Sequence, residues 1–228
     1  MLGTKRQSLT NVQSILDDIF GKDLHKKRQL SLSYAAMGLF ESESLFLHDM
    51  GLGMAESRGV SKKHATKQID RLLSNPGYDI WDLSRHWVPY IVGSKASIQV
   101  ALDWSSFASD EQQMLSLNLV TAKGCSTPLL WKTVDIKRIK YNRARYEDQM
   151  LSRLKSVLPD EIEVTLLADR GFAAQKFFKF IEEELNFNYI IRIKSNTRIT
   201  DSKGVSQKAS EWLDKKGKAK SLKKVGLT

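Results

Sequence analysis

The chain has 228 residues, of which 41% are hydrophobic, so it can bury a core and is not a wholly disordered protein. Its formal net charge is +10, and an excess of that size favours a polyanionic partner, most commonly a nucleic acid. The sequence contains no long apolar span and only one cysteine. These features disfavour a membrane protein, an internal disulfide and a zinc site, and they favour a reducing cytoplasm.

Residues 1–93 are predicted to form a helical region. Apolar residues recur at helical spacing between residues 12 and 20, and residues 30–50 are predicted to form one or two further helices. Three glycines follow between residues 51 and 59. Because glycine has a poor helix propensity, we expect a break in the helical structure there.

The best-defined helix of this region begins at Ser61, a favourable N-cap residue, and ends before Pro76. Its apolar residues form one stripe, whereas Lys63, Lys67 and Arg71 repeat at every fourth position on another face. This basic face is typical of a helix that lies in a DNA groove as part of a helix-turn-helix-like unit. It is equally typical of an ordinary solvated face, and the sequence leaves both interpretations open.

Between residues 94 and 200 the period of the apolar residues changes, and strands alternate with helices. The predicted strands are 98–104, 114–122, 129–134, 163–168 and 189–193, and the predicted helices end near residues 157 and 185. The order is three strands, a helix, a strand, a helix and a strand, which a mixed α/β sheet with helices on its faces accommodates. It is the order of the ribonuclease-H-like fold, in which the first and fourth strands lie side by side.

The last segment, residues 201–228, is polar and ends in a basic stretch. Its closely spaced lysines are Lys215, Lys216, Lys218, Lys220, Lys223 and Lys224. This composition favours a solvated and flexible terminus. The start of an inserted β-rich region is the alternative interpretation.

Two acidic residues each follow an apolar run. Asp103 follows residues 97–102, and Asp169 follows residues 162–168 and precedes Arg170. A carboxylate where a buried strand ends is held by a rigid sheet and stays open to solvent, as a metal ligand must be. A divalent ion bound there would support phosphoryl transfer on a nucleic acid. The competing interpretation is that each Asp only ends its strand, because Asp favours turns.

Three short blocks of sequence carry a resemblance to a known family. They are Leu-Asp-Trp-Ser-Ser at 102–106, Leu-Ala-Asp-Arg-Gly-Phe at 167–172 and Ile-Arg-Ile-Lys-Ser-Asn at 191–196. In this order and at these spacings they resemble the DDE transposases of bacterial insertion sequences, in particular the insertion-sequence type four family. The helical region fits this family by its position and charge.

The resemblance implies a role for several residues. Asp103 and Asp169 are implied as the first two carboxylates of a catalytic triad that binds Mg²⁺ or Mn²⁺. Arg170, Arg192 and Lys194 are expected to meet the DNA backbone. The competing interpretations are an ordinary surface ion pair for Arg170 and solubility charges on an edge strand for Arg192 and Lys194.

The same resemblance implies partners and a location. Double-stranded DNA is the expected partner, both as the terminal inverted repeats of the transposon and as the target. Residues 1–93 are then a DNA-binding region, and a homodimer is expected in the synaptic complex. The expected location is the cytoplasm, with nucleoid association when DNA is bound, and no membrane is involved.

A third carboxylate is missing from the expected place. In similar transposases it is a Glu within a Tyr-x-x-Arg-x-x-x-Glu-x-x-x-x-x-x-Lys pattern, which this sequence lacks. Glu211 is a substitute if residues 206–216 form a helix, although an ordinary amphipathic segment is the competing interpretation. We therefore expect a transposase that is truncated before its catalytic Glu and is weak or inactive in strand transfer.

Two other functions remain open at this point. One is a non-catalytic DNA-binding fragment that occupies transposon ends and represses transposition. The other is a ribonuclease-H-like nuclease without a role in transposition, which the long N-terminal helical region disfavours.

Overall fold

The computed structural model describes residues 9–121, 124–213, 221–222 and 225–227. The chain divides into two compact units, Met1–Tyr90 and Ile91–Thr228. Within the described ranges, no helix combines the length and the apolar character that crossing a membrane requires.

The first unit is built from helices, as the sequence predicts. They are α1 (Leu9–Phe20), α2 (Lys26–Ser42), α3 (Leu47–Arg58), α4 (Lys62–Leu73) and α5 (Ile80–Val92), the last of which begins in this unit. Helices α2, α3 and α4 share a core around Met54 and Ile69, which are both almost completely buried. Helices α1 and α5 contribute to a second cluster around Phe20 and Leu24.

The glycines of α3 do not break the helix, contrary to the sequence-based prediction. Gly51 and Gly53 lie inside α3, and only Gly59, with a φ of 64°, ends it in the left-handed region. A Cβ on Gly38 of α2 would lie 2.5 Å from the Met50 carbonyl oxygen, and one on Gly53 would lie 2.6 Å from the Gly38 carbonyl oxygen. The missing side chains therefore let α2 and α3 pack closely, and this contact overrides the low helix propensity of glycine.

The second unit contains a five-stranded mixed sheet. Its strands are β1 (Ser97–Phe107), β2 (Gln112–Val120), β3 (Ser126–Asp135), β4 (Glu163–Ala168) and β5 (Asn188–Ile191), in the spatial order β3-β2-β1-β4-β5. Strands β1, β2 and β3 form an antiparallel meander, and β1, β4 and β5 are parallel. This topology confirms the predicted ribonuclease-H-like fold.

Helices connect these strands. The short α6 (Ile136–Ile139) and the longer α7 (Arg143–Val157) lie between β3 and β4, and α8 (Gln175–Lys179) continues as a π-helix, Phe180–Leu185, before β5. Met150, Leu151 and Leu154 of α7 are fully buried. Burial of one such side chain contributes about 1.5–3 kcal/mol, so α7 is firmly packed in this unit.

Two predicted strand ends differ from the structure. Strand β1 continues to Phe107, because residues after Asp103 still pair with β2, so Asp103 lies inside the strand. Strand β5 ends at Ile191, so Arg192 and Lys194 follow the strand and do not alternate along it.

A second, smaller sheet follows the main one. It consists of β6 (Arg198–Thr200), β7 (Ser206–Lys208) and β8 (Gly226–Leu227), in the order β7-β6-β8. Residues 206–213 therefore form a strand and a 3-10 turn where the sequence suggested a helix. The six lysines of the basic stretch lie outside the described residues.

Candidate functional site

Three of the predicted site residues lie at one level of the main sheet, where β4 and β5 end. Leu102 of β1 pairs with Ala168 of β4, and Ala168 pairs with Ile191 of β5. The next residue along each chain segment is Asp103, Asp169 or Arg192. Because parallel strands point the same way, these three residues follow the same level of the sheet, and the Arg192 amide donates to the Ala168 carbonyl oxygen at 3.2 Å.

Asp103 and Asp169, hereafter the carboxylate pair, lie on the same face of this sheet. Leu102 is buried on the opposite face of β1, so Asp103 points away from it. Asp169 keeps an extended backbone, with φ −82° and ψ 178°, so the alternation of β4 continues through it. Both residues are exposed, and neighbouring strands are about 4.8 Å apart, so the two carboxylates face solvent side by side.

The two carboxylates differ in their partners. One oxygen of Asp169 accepts a hydrogen bond from the Gly171 amide at 2.7 Å and caps the 3-10 turn Arg170–Phe172. For Asp103, the described residues provide neither a side-chain hydrogen bond nor an ion pair. A carboxylate has about four lone-pair directions, so both groups keep acceptor capacity for a further ligand.

A buried glutamate contacts Trp104, the residue that follows Asp103. Glu147 of α7 has a side chain that is only 8% exposed. Its Oε1 accepts from the Trp104 indole Nε1 at 2.8 Å and from Arg143 Nε at 2.9 Å. Burial raises the pKa of Glu147 above its ordinary value, and the hydrogen bonds from Trp104 and Arg143 partly offset that rise.

The guanidinium of Arg143 lies near two aromatic rings. Its central carbon lies 5.4 Å from the ring centroid of Trp104 and 5.6 Å from that of Phe172. Trp104 directly follows Asp103, and Phe172 closes the turn that Asp169 caps. Sequence reasoning did not find Arg143 and Glu147. The available signal was their i,i+4 spacing on a predicted helix that follows a basic segment.

Part of the chain is similar to a known protein family. Residues 132–226 match a transposase DDE domain. The match covers less than half of the chain and supports a DDE transposase. It includes Asp169, and it leaves Asp103 outside its range. No curated protein matches the chain.

The three basic site residues predicted in the second unit, Arg170, Arg192 and Lys194, are exposed. Arg170 begins the 3-10 turn after Asp169, and Arg192 stands directly after β5. Lys194 lies two residues further along, in a turn where its carbonyl oxygen accepts from the Thr197 amide at 3.0 Å. Arg170 and Arg192 thus adjoin Asp169 by sequence and by strand register.

Lys63, Lys67 and Arg71 belong to the first unit. All three are exposed on α4, on the side away from the buried residues Ala65 and Ile69. Ser61 caps this helix as predicted, accepting from the His64 amide at 3.4 Å. Residues 59–61 alone connect α3 to α4, so the two helices form a helix–short turn–helix unit.

The structure does not bring Glu211 to the carboxylate pair. Glu211 lies on the 3-10 turn Ala209–Trp212, where its Oε2 accepts from the Lys208 amide at 2.8 Å. Within the described part of the chain, no three acidic, histidine or cysteine side chains are grouped so that they could hold a metal ion. Among the described residues, the site therefore consists of two carboxylates without a third.

Proposed function

We propose that this protein is a DNA transposase of the insertion-sequence type four family that cleaves and transfers strands at transposon ends. The observation that carries this proposal is the carboxylate pair. Asp103 and Asp169 come from neighbouring parallel strands, lie on one face and are open to solvent. The family match over residues 132–226 supports the same chemistry.

The donor set suits a hard divalent cation. Mg²⁺ and Mn²⁺ prefer carboxylate oxygens, and Asp103 and Asp169 offer such oxygens without a competing lysine or arginine ion pair among the described residues. When bound, such an ion would stabilise the charge on the phosphodiester and activate the attacking oxygen. The chain's own contribution is to hold the two carboxylates at fixed strand positions.

Cationic residues near the carboxylate pair are proposed to bind DNA phosphates. Arg170 follows Asp169 directly, and Arg192 adjoins it through the pairing of β4 with β5. Lys194 extends the same exposed segment. These positive charges offset the repulsion between the two carboxylates and the DNA backbone, which supports a backbone-binding role.

Residues 1–93 are proposed to bind the terminal inverted repeats. The α3–turn–α4 unit has the form of a DNA-binding helix-turn-helix, with Lys63, Lys67 and Arg71 along the exposed side of its second helix. Residues 94–200 are then the catalytic core, and the second sheet is the start of an inserted β region. A homodimer that pairs two transposon ends on target DNA, at the nucleoid, completes the proposal.

A second candidate function follows because the described residues provide no third carboxylate beside this pair. With two ligands the chain is expected to hold a second ion poorly, so we propose that cleavage by this polypeptide alone is weak or absent. DNA binding depends on the basic surfaces and is expected to remain. A chain that occupies transposon ends without cutting them would repress transposition.

A cleavage assay separates the two candidates. Labelled DNA that flanks the reading frame is incubated with Mg²⁺ or Mn²⁺ and with wild type, Asp103→Asn or Asp169→Asn. Asp160→Asn is the matched control, because Asp160 is an exposed carboxylate before the start of β4. Metal-dependent cleavage that only the two site variants lose supports the transposase, and binding without cleavage supports the repressor. Absence of DNA binding contradicts both.

A further inference from the structure

Arg143 is held in place by contacts that leave part of its guanidinium without a hydrogen-bond acceptor among the described residues. We propose that Arg143 binds a backbone phosphate of the DNA beside the carboxylate pair, and that Glu147 is the positioning residue that fixes its guanidinium. This inference rests on the proposed function, because it names a further substrate-binding residue of the same site.

Three contacts fix the guanidinium. Arg143 Nε donates to Glu147 Oε1 at 2.9 Å, and the group lies near the rings of Trp104 and Phe172. These two rings belong to the strand and the turn that also carry the carboxylate pair. The orientation of Arg143 is therefore coupled to the same two elements that place Asp103 and Asp169.

Gly171 brings Arg143 close to Asp169. A Cβ on Gly171 would lie 3.6 Å from Arg143 Nη2 and 2.9 Å from Asp169 Oδ1, so both atoms adjoin the same point. They form no ion pair with each other, and the Asp169 oxygen instead accepts from the Gly171 amide at 2.7 Å. The guanidinium thus stands near the Asp169 carboxylate without being neutralised by it.

The outer edge of the guanidinium is left available. Among the described residues, Arg143 donates a hydrogen bond only through Nε, so its four Nη protons have no protein acceptor there. The side chain is 44% exposed, whereas its partner Glu147 is 8% exposed. The contact with Glu147 therefore uses one of the five N–H groups of the guanidinium. Here Glu147 contacts Nε, and the two terminal nitrogens, one of them beside Gly171, are left to bind phosphate oxygens.

The salt dependence of DNA binding tests this role. A short fluorescein-labelled DNA duplex is titrated in metal-free buffer between about 50 and about 200 mM salt with wild type, Arg143→Gln and Arg145→Gln. Arg145 is the matched control, because it is an exposed arginine two residues further along α7 and so lies about 200° around the helix. We expect Arg143→Gln to bind about tenfold more weakly and to lower the salt slope by about 0.9, the value of one lost phosphate contact.

Two further variants test how Glu147 acts. Glu147→Gln keeps an oxygen that can accept from Arg143 Nε, so its salt slope is expected to match that of wild type. Glu147→Met removes the acceptor and is expected to lower the slope, as Arg143→Gln does. Because a buried substitution can also affect folding, the urea midpoint of each variant is measured in parallel, and Arg143→Lys is added. Lysine keeps the charge but not the planar fork, so we expect it to restore only part of the affinity.

Chemical footprinting provides a direct measurement of contact. Phenylglyoxal modifies exposed arginines, and mass spectrometry then compares the labelling of Arg143 and Arg145 with and without the duplex. Protection of Arg143 that exceeds protection of Arg145 supports the proposal. Equal protection of Arg143 and Arg145, or equal salt slopes for Arg143→Gln and Arg145→Gln, overturns it while the proposed function stands. Absence of salt-dependent binding by wild type contradicts the proposed function itself.

Discussion

Replacing Trp104 by Phe tests the network behind the carboxylate pair. The substitution removes the indole N–H that donates to Glu147 Oε1 at 2.8 Å and leaves Arg143 as the other donor to that oxygen. A hydrogen bond to a charged group contributes about 1.5–3 kcal/mol, and the 8% exposure of the Glu147 side chain leaves little water to replace it. The smaller ring also loses packing worth about 1 kcal/mol. We therefore expect the free energy of unfolding at pH 7 to fall by about 3 kcal/mol.

The pH dependence separates these two contributions. Loss of packing does not depend on pH, whereas the hydrogen bond loses strength once Glu147 is protonated. Urea unfolding is measured from pH 7 down toward the ordinary glutamate pKa of 4.5, and the cost of Trp104→Phe is expected to shrink over this range. Trp131→Phe is the matched control, because Trp131 is 38% exposed and is expected to show a small cost that is constant with pH. An equal cost of Trp104→Phe at every pH would refute the reasoning.

Three further predictions concern stability. Because the pKa of Glu147 is raised in the folded chain, wild-type stability should fall as the pH rises from 4.5 through that raised value, and Glu147→Gln should abolish this fall in urea titrations. Gly38→Ala should lower the free energy of unfolding by about 1–3 kcal/mol, because the new Cβ would lie 2.5 Å from the Met50 carbonyl oxygen. This cost should exceed the gain from the better helix propensity of alanine. An unchanged thermal unfolding midpoint would contradict the close packing of α2 and α3. Burial and a hydrogen bond to Glu182 raise the pKa of Tyr189 to about 12, so stability should decrease as the pH rises above 10, and Tyr189→Phe should lack that decrease.

The sequence predicted the order of the elements because apolar periodicity changes visibly at the start of the second unit. The placement of the carboxylate pair also followed from local pattern, since both Asp103 and Asp169 come directly after apolar runs. In the ribonuclease-H-like order, the first and fourth strands are neighbours. The structure confirms this pairing through the register of Leu102 with Ala168.

The remaining features depend on tertiary packing. The low helix propensity of Gly51 and Gly53 predicted a break, whereas close contacts with neighbouring helices keep both residues inside α3. The hydrogen bond from Trp104 to Glu147 requires α7 to turn a particular side toward β1, and spacing along one helix does not specify that rotation. Sequence patterns report which residues share a face, but not which residue of another element that face meets.

Asp103 and Asp169 differ in how strand pairing holds their backbones, because Asp103 lies within a paired strand and Asp169 lies beyond the end of one. Asp103 lies opposite Ser116 within a continuous ladder to β2, so its backbone is held by bonds on both sides along the chain. Asp169 stands beyond the last residue of β4 and begins a turn of three residues. The first carboxylate is therefore carried by a backbone that is paired on both sides of it along the chain, whereas the second is carried by a residue beyond the end of its strand. Amide exchange should accordingly be slower at Asp103 than at Asp169.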